Sequence, residues 1–203
     1  MTFVRRFWAG RSGSSAAEFG LVLPVLLVMI FLVIDGGRYL WSINRLEKAT
    51  QWGARYAAVA DPVAGGLTTA DYVDQTGVGL GQGDTIPASA LGAITCTSAS
   101  CTCTTTPCPA TLTPFNGYSF TNIVNRMKLI APEIPTANVS VIYRGSNLGY
   151  AGDPSGMQIS PLVTVKVTHY NWQPLSGFTL KNAQYPDIET TLTAEDSVGN
   201  SSY

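Results

Sequence analysis

The feature that most constrains this chain is an apolar run of sixteen residues, 19–34, that contains no charged side chain. As a helix at ~1.5 Å per residue the run covers about 24 Å, slightly less than the ~30 Å hydrocarbon core of a bilayer. The small residues at 16–17 and 36–37 extend the span to nearly the full thickness. The run therefore predicts one transmembrane helix near the N-terminus.

The charges that flank this run predict its orientation. Residues 1–13 contain Arg5, Arg6 and Arg11 and no acidic side chain. Because positively charged flanks remain on the cytoplasmic side, we expect a basic cytoplasmic leader at 1–13. The bulk of the chain, 61–203, is then an exported domain.

Two other interpretations of the apolar run fit less well. A cleavable secretory signal requires a small-x-small site just after the run. The stretch Asp35–Arg38 offers none, and the first such site, at 58–60, lies more than twenty residues too late. A buried helix of a soluble protein is disfavoured because no polar face interrupts residues 21–34.

Glu18 is a charged residue at the very edge of the apolar run. A carboxylate at this position is costly unless it is paired or lies near the membrane interface. One interpretation is a capping box, S-x-x-E, in which Glu18 and Ser15 satisfy free backbone N–H groups at the start of the helix. The other is that Glu18 pairs with a positive charge supplied by another chain. The two roles are compatible.

The residues around Glu18 resemble a prepilin peptidase site. A basic leader ends at Gly13, four residues follow, and Glu18 stands at the fifth position, before an aromatic residue and an apolar helix. The resemblance implies cleavage after Gly13, which creates a new α-amine at Ser14. It also implies that Glu18 is an assembly charge that neutralises the amine of a neighbouring subunit, since a paired charge costs far less at low dielectric than an unpaired one.

Further short motifs occur along residues 13–60. They are Ala17-Glu18-Phe19, Leu23-Pro24, the Leu/Val/Ile run, Gly37-Arg38-Tyr39 and Ala54-Arg55-Tyr56-Ala57. Together they resemble the TadE-like pseudopilins of tight-adherence (Flp pilus) systems, over about a quarter of the chain. Asp35 departs from the pattern, because a larger or apolar group is expected near the end of the span.

The resemblance implies a minor pilin-like (pseudopilin) subunit of a tight-adherence pilus assembly and secretion system, which acts in pilus biogenesis and adhesion. The implied partners are prepilin peptidase, other pilin-like subunits and inner-membrane pilus assembly proteins. The implied location is the bacterial inner membrane, in a single pass, with the N-terminus cytoplasmic and the C-terminal domain periplasmic or extracellular. The alternative is an unprocessed, membrane-anchored periplasmic binding or sensing domain.

Residues 38–60 continue the helix with an amphipathic pattern, so that one helix is predicted over 14–60. The side chains of one stripe become smaller toward the C-terminal end of the helix, which predicts close packing on a sheet or a second helix there. Its members are Leu40, Ile43, Leu46, Thr50, Gly53, Ala57 and Ala60. A second stripe is either a solvated face or, at its first two members, an interfacial anchor. Its members are Arg38, Trp41, Arg45, Lys48, Trp52 and Arg55.

The remaining chain predicts a small α+β domain. Asp61-Pro62 ends the long helix, and the Gly- and Pro-containing stretch 62–92 is a loop region with a short helix near Thr69–Gln75. Further elements are a helix at 118–130 and antiparallel strands at 139–143, 162–170 and 188–194. The predicted fold is a long N-terminal helix, transmembrane and then amphipathic, packed on a small antiparallel sheet with a loop-rich, disulfide-stapled insertion.

That insertion is the Thr-rich stretch 95–109, which contains Cys96, Cys101, Cys103 and Cys108. In an exported domain two disulfides are expected. A 101–103 pair is sterically poor, which leaves 96–101 with 103–108 or 96–103 with 101–108. A zinc site is disfavoured because two C-x2-C knuckles are absent.

The sequence contains no P-loop, G-x-S-x-G, H-E-x-x-H or dinucleotide-binding motif. His169, the single histidine, falls in the predicted strand 162–170, where a packed or surface role is expected. The carboxylates of the exported part are scattered, as at Asp71, Asp74, Asp153 and Asp187. We expect neither catalysis nor a cofactor or metal. A net charge of −1 disfavours nucleic-acid binding.

Overall fold

The structure is a computed structural model that describes residues 14–74, 78–108, 114–154, 156–175 and 184–194. The predicted leader 1–13, with Gly13, lies outside the described residues, as do Gln75, residue 109 and residues 195–203. The described residues form two compact units. The first contains residues 14–42 and 172–175, and the second contains the described parts of 43–171 and 184–194.

Helix α1 is described over Ser14–Val59, and its end matches the predicted end at residue 60 to within one residue. Its last turn is closed by the bond from the Ala60 backbone N–H to the Tyr56 carbonyl, 3.0 Å long. Asp61 and Pro62 follow, where the proline ring disfavours helical backbone in the residue before it. The long N-terminal helix of the predicted fold is thereby confirmed.

A five-stranded antiparallel sheet forms the centre of the second unit, in the order β2-β1-β3-β4-β5. The strands are β1 (Ala93–Cys96), β2 (Cys101–Thr105), β3 (Val139–Arg144), β4 (Leu162–Val167) and β5 (Ile188–Thr193). Each neighbouring pair is antiparallel. Together with the helices this confirms the α+β class, and three of the strands fall where alternating β-branched residues predict them.

The sheet has one buried face, which the register defines. Val141 of β3 pairs with Val165 of β4, which in turn pairs with Thr190 of β5. Both valines are fully buried. Thr190 shares a hydrogen bond between hydroxyl groups, 2.9 Å long, with Thr50 of α1. Since side chains alternate between the two faces of a strand, this face lies toward the C-terminal part of α1.

Helix α2 (Gly117–Lys128) is the short helix predicted at 118–130. The side chain of Asn116 caps its start by accepting a hydrogen bond from the Ser119 backbone N–H, 3.2 Å long, as an N-cap asparagine does. Its buried side chains include Phe120, Ile123 and Met127, at the spacing of one helical face.

The small residues of α1 are the point at which the two helices and the sheet meet. A Cβ atom placed on Gly53 would lie 2.7 Å from Met127 Cγ of α2 and 3.3 Å from Val165 Cγ1 of β4. Ala54 and Ala57 are also buried. The predicted close packing on the small end of the stripe is therefore confirmed, whereas Leu40, at the other end, is exposed.

The second stripe of α1 is largely exposed among the described residues, as both of its predicted interpretations require. Trp41 and Trp52 are exposed, as are the basic residues other than Arg45. Arg45 is half-buried and forms an ion pair with Glu133, which follows α2 in the chain. In a later turn of α1, the centre of the Tyr56 ring lies 5.3 Å from the guanidinium of Arg126, which belongs to α2. This is the distance of a cation–π contact.

The predicted three-stranded sheet was incomplete, because the cysteine stretch also forms strands. Strands β1 and β2 lie within or beside the predicted loop 95–109. Four of the five residues of β2 are exposed, so its Thr-rich sequence lacks the apolar alternation by which a half-buried strand is recognised. The pairing of β1 with β3 joins this hairpin to the main sheet.

The predicted strand 162–170 was too long, and His169 is not part of it. Strand β4 ends at Val167, and His169 adopts a left-handed φ of 53°, which regular strands do not contain. The Asn138 side-chain amide donates to the carbonyls of Thr168 and His169, at 2.8 and 3.0 Å. The Thr168 backbone N–H also donates to the Asn138 carbonyl, at 2.9 Å, and His169 is exposed.

The stretch 62–92 is irregular, as predicted, but it is packed onto the domain. It contains two short 3-10 helices, Gly65–Thr69 and Ala88–Ala90. The helix predicted near Thr69–Gln75 is wrong for its described part, since residues 70–74 are not helical. The buried Tyr143 hydroxyl accepts a hydrogen bond from the Val63 backbone N–H, 2.9 Å long, and so fixes the start of this stretch to β3.

The four cysteines form the disulfides Cys96–Cys101 and Cys103–Cys108. The first joins β1 to β2 and is buried, whereas Cys103 of the second is exposed. This is one of the two pairings that the spacing leaves open. In each bond the two cysteines are separated by 5 positions. By lowering the entropy of the unfolded chain, each bond therefore stabilises the folded protein by the same amount, about 2 kcal/mol.

We predict that enlarging a buried alanine of α1 destabilises the second unit. Ala57→Leu should lower the free energy of unfolding by about 1–3 kcal/mol, because Ala57 is buried and a larger side chain overpacks a buried site. Arg55→Leu, on the exposed face of the same turn, is the matched control and should change it by less than about 0.5 kcal/mol. Thermal unfolding of the detergent-solubilised chain measures both; equal stability of Ala57→Leu and the parent would contradict the packing.

We also predict that the two disulfides differ in their access to reductant. Cys103–Cys108 should open first under mild reduction, because a thiolate must reach a sulfur atom to react and Cys103 is exposed. Alkylation of the freed thiols followed by peptide mapping measures the order. Earlier labelling of Cys96 and Cys101 would show that the β1–β2 edge is open.

Candidate functional site

The N-terminal half of α1 presents an apolar surface that no described part of the chain covers. Every side chain of 19–34 is exposed except that of Leu23, which is half-buried. The exposed fraction reaches 75% at Leu21 and 72% at Val33. An apolar surface of this extent is not stable in water and marks a site of interaction with a membrane or another protein.

By length and composition, α1 meets the requirements of a membrane span. The most apolar window of its stretch Ser15–Val59 has a mean hydropathy of 2.7 and is 0% buried. A buried helix of a soluble domain would be covered by its own chain, so that alternative is not supported. Regular α-helix satisfies the backbone groups internally, as the hydrocarbon region requires.

Pro24 lies inside this apolar half without ending the helix. A proline has no N–H group, so the carbonyl four residues earlier, that of Gly20, loses its helical partner. Gly20 has no side chain, and a Cβ atom placed on it would meet nothing within 4 Å. Prolines of this kind are tolerated in membrane spans more readily than in helices exposed to water.

The predicted residues Ser14 and Glu18 lie in the first described turn of α1, and Gly13 lies outside the described residues. Glu18 is exposed. Residues four apart lie on the same side of a helix, so positions 14 and 18 share one side of α1. The capping box predicted for Ser15 and Glu18 stays a prediction, because the residues before Ser14 lie outside the described residues.

Asp35 forms the second polar feature of the first unit, at the other end of the apolar run. Its side chain is 96% buried. One oxygen, Oδ1, accepts a hydrogen bond from the Leu175 backbone N–H, 2.9 Å long, and lies 3.8 Å from Arg38 Nη1. One turn further along α1, the Tyr39 ring meets the Trp172 ring edge to face, with 5.6 Å between centroids. Asp35 therefore holds the segment 172–175 against the helix.

This role of Asp35 was missed from the sequence. Asp35 and Leu175 are 140 positions apart, and no local pattern connects them. The one available signal was the departure from the family pattern, since a carboxylate at the end of an apolar run requires a partner.

The carboxylates of the second unit serve local structure. Asp71 accepts hydrogen bonds from the Val73 backbone N–H and the Gln158 amide, and the backbone bond is the main cause that lowers the pKa of Asp71. Asp187 lies 3.0 Å from the Lys166 ammonium and raises the pKa of Lys166. Among the described residues no three His, Cys, Asp or Glu side chains are placed to hold a metal ion.

Comparison with known proteins identifies the N-terminal part of the chain. Residues 13–55 match the family model described as TadE-like protein. No curated protein matches the chain, and no solved structure matches it. The matched segment contains the first described turn of α1 with Glu18, the exposed apolar half of the helix and the small residues Gly53 and Ala54. Residues 13–55 are therefore a TadE-like segment, which supports an association of the chain with the Tad/Flp pilus.

Proposed function

We propose that this chain is a minor pilin-like (pseudopilin) subunit of a tight-adherence pilus assembly and secretion system, processed by prepilin peptidase after Gly13. The observation that carries the proposal is the position of Glu18. It is the only acidic residue between 14 and 34, and it lies four residues, about one helical turn, after the Ser14 that the proposed cleavage exposes. In this role the chain acts in pilus biogenesis and adhesion through assembly, and not as an enzyme.

The proposed processing adds an ammonium group at Ser14 to a segment that already contains the Glu18 carboxylate, and each of these charges is costly unless it is paired. A new ammonium at Ser14 adds to the positive end of the helix dipole, and the Glu18 carboxylate is costly at the membrane edge. Pairing Glu18 of one subunit with the amine of its neighbour offsets both costs, since opposite charges at low dielectric attract strongly once their desolvation is shared. The pair therefore favours assembled subunits over separate ones.

The proposed topology follows from the arginines of the leader. Arg5, Arg6 and Arg11 keep the N-terminus on the cytoplasmic face, where prepilin peptidase has access to Gly13. The second unit then lies on the opposite side of the inner membrane, in an oxidising compartment. Two disulfides in that unit are compatible with such a location. Other pilin-like subunits and the inner-membrane assembly proteins are the proposed partners.

We predict that the mature protein begins at Ser14. Mass spectrometry of the membrane-extracted protein should show this N-terminus in cells with an active prepilin peptidase and an uncleaved leader in cells without it. Gly13→Leu should also leave the leader attached. A mature protein that retains Met1 in cells with active peptidase would support an unprocessed, membrane-anchored binding or sensing domain instead.

We further predict that Glu18→Ala blocks pilus assembly and leaves membrane insertion intact, because it removes a charge from the span without changing the apolar run. Glu18→Asp should retain part of the assembly, since it keeps the charge. Glu47→Ala is the matched control, an exposed glutamate further along the same helix, and should assemble normally. Pilus yield and carbonate-resistant membrane content measure the two effects; normal pili from Glu18→Ala would refute the paired-charge role.

A further inference from the structure

The segment 172–175, called here the strap, lies along α1 just beyond the apolar run. Trp172 contacts Tyr39, and the backbone of Leu175 contacts Asp35. The strap therefore runs back along the helix toward Ile34, over about four residues or ~6 Å. Leu175 is held within one residue of the end of the apolar run.

The length of the apolar run places this level at the boundary of a bilayer. Residues 19–34 cover about 24 Å as a helix, and the hydrocarbon core is ~30 Å thick. The residues directly after Ile34 thus lie at the edge of the hydrocarbon when the run spans a membrane. The Leu175 backbone, bonded to Asp35, lies at the same level.

The side chains at this level have the composition of a membrane interface. Leu175, Leu40 and Trp41 are exposed by 65%, 62% and 59%, although all three belong to the same compact unit. Arg38 is half-exposed and pairs with Asp35. Tryptophan and a basic side chain with an apolar stem are the residues that occupy the headgroup region.

The burial of Asp35 fits the same location. A carboxylate close to hydrocarbon is costly unless it is paired and hydrogen-bonded. Asp35 has the Arg38 guanidinium and the Leu175 N–H as partners. The strap thus supplies a donor that a single helix could not, and Asp35 in return fixes the position of Leu175.

We propose that the strap is a second membrane contact, with the Leu175 side chain inserted at the boundary of headgroups and acyl chains and Asp35 as its positioning residue. The proposal rests on the membrane-spanning role of α1. It adds a membrane contact from a part of the sequence that is distant from α1.

The test uses single fluorescent labels in the full chain. All four native cysteines are in disulfides, so Leu175→Cys provides one free thiol for an environment-sensitive dye. The labelled protein is placed in phosphatidylcholine nanodiscs that contain lipids with a nitroxide at the headgroup or in the acyl chain. We expect the headgroup nitroxide to quench the label at 175 several-fold more strongly than a label at the control position.

The control is Leu129→Cys, an exposed leucine just after α2. Leu129 belongs to the second unit, whereas Leu175 belongs to the first. A label at Leu26→Cys, inside the apolar run, reports the span itself and should be quenched by the acyl-chain nitroxide. Without quenching at 26 the membrane-spanning role fails; with quenching at 26 but equal signals at 175 and 129, only the strap proposal is overturned.

Two variants of Asp35 test the positioning role. Asp35→Asn keeps an oxygen that accepts the Leu175 N–H bond, so quenching of the 175 label should persist. Asp35→Ala removes the acceptor, and quenching should fall toward the level of the Leu129 label. Unchanged quenching in Asp35→Ala would show that Asp35 does not position the strap.

Discussion

No described residue covers the apolar surface of residues 19–34. The roles of the other features of the chain follow from this exposure. Its removal from water stabilises a membrane-inserted or assembled state by roughly 25 cal/mol for each Å² of apolar area. The helix that carries this surface continues without interruption to Val59. Its later turns are instead covered by the protein itself, because their small residues are buried against α2 and the sheet.

One backbone thus serves two environments, and the polar residues mark the transitions between them. Glu18 directly precedes the apolar run and Asp35 directly follows it. Asp35 has its partners within the chain, Arg38 and the Leu175 N–H. For Glu18 we propose a partner on a neighbouring subunit. In these proposals the two carboxylates have different roles, Asp35 in positioning the strap at the membrane and Glu18 in assembly.

The helix and its small-residue face could be predicted from the sequence because both depend on local periodicity. Strands β3, β4 and β5 were also predicted, since β-branched residues alternate there. Strands β1 and β2 were missed because the exposed threonines of β2 show no apolar alternation. His169 was misplaced because β4 ends before it, where the side-chain amide of Asn138, 31 positions away, donates to the His169 carbonyl. The Asp35–Leu175 bond spans 140 positions, which no local pattern reports.

The central claim is that α1 is one continuous helix, covered by lipid in its first half and by the domain in its second. Hydrogen–deuterium exchange of the full chain in lipid nanodiscs tests this directly, with peptides that cover 19–34 and 46–57. We predict slow exchange over both stretches, because backbone N–H groups in hydrocarbon and in a packed interface both lack access to water. Fast exchange over 19–34 beside slow exchange over 46–57 would contradict the claim.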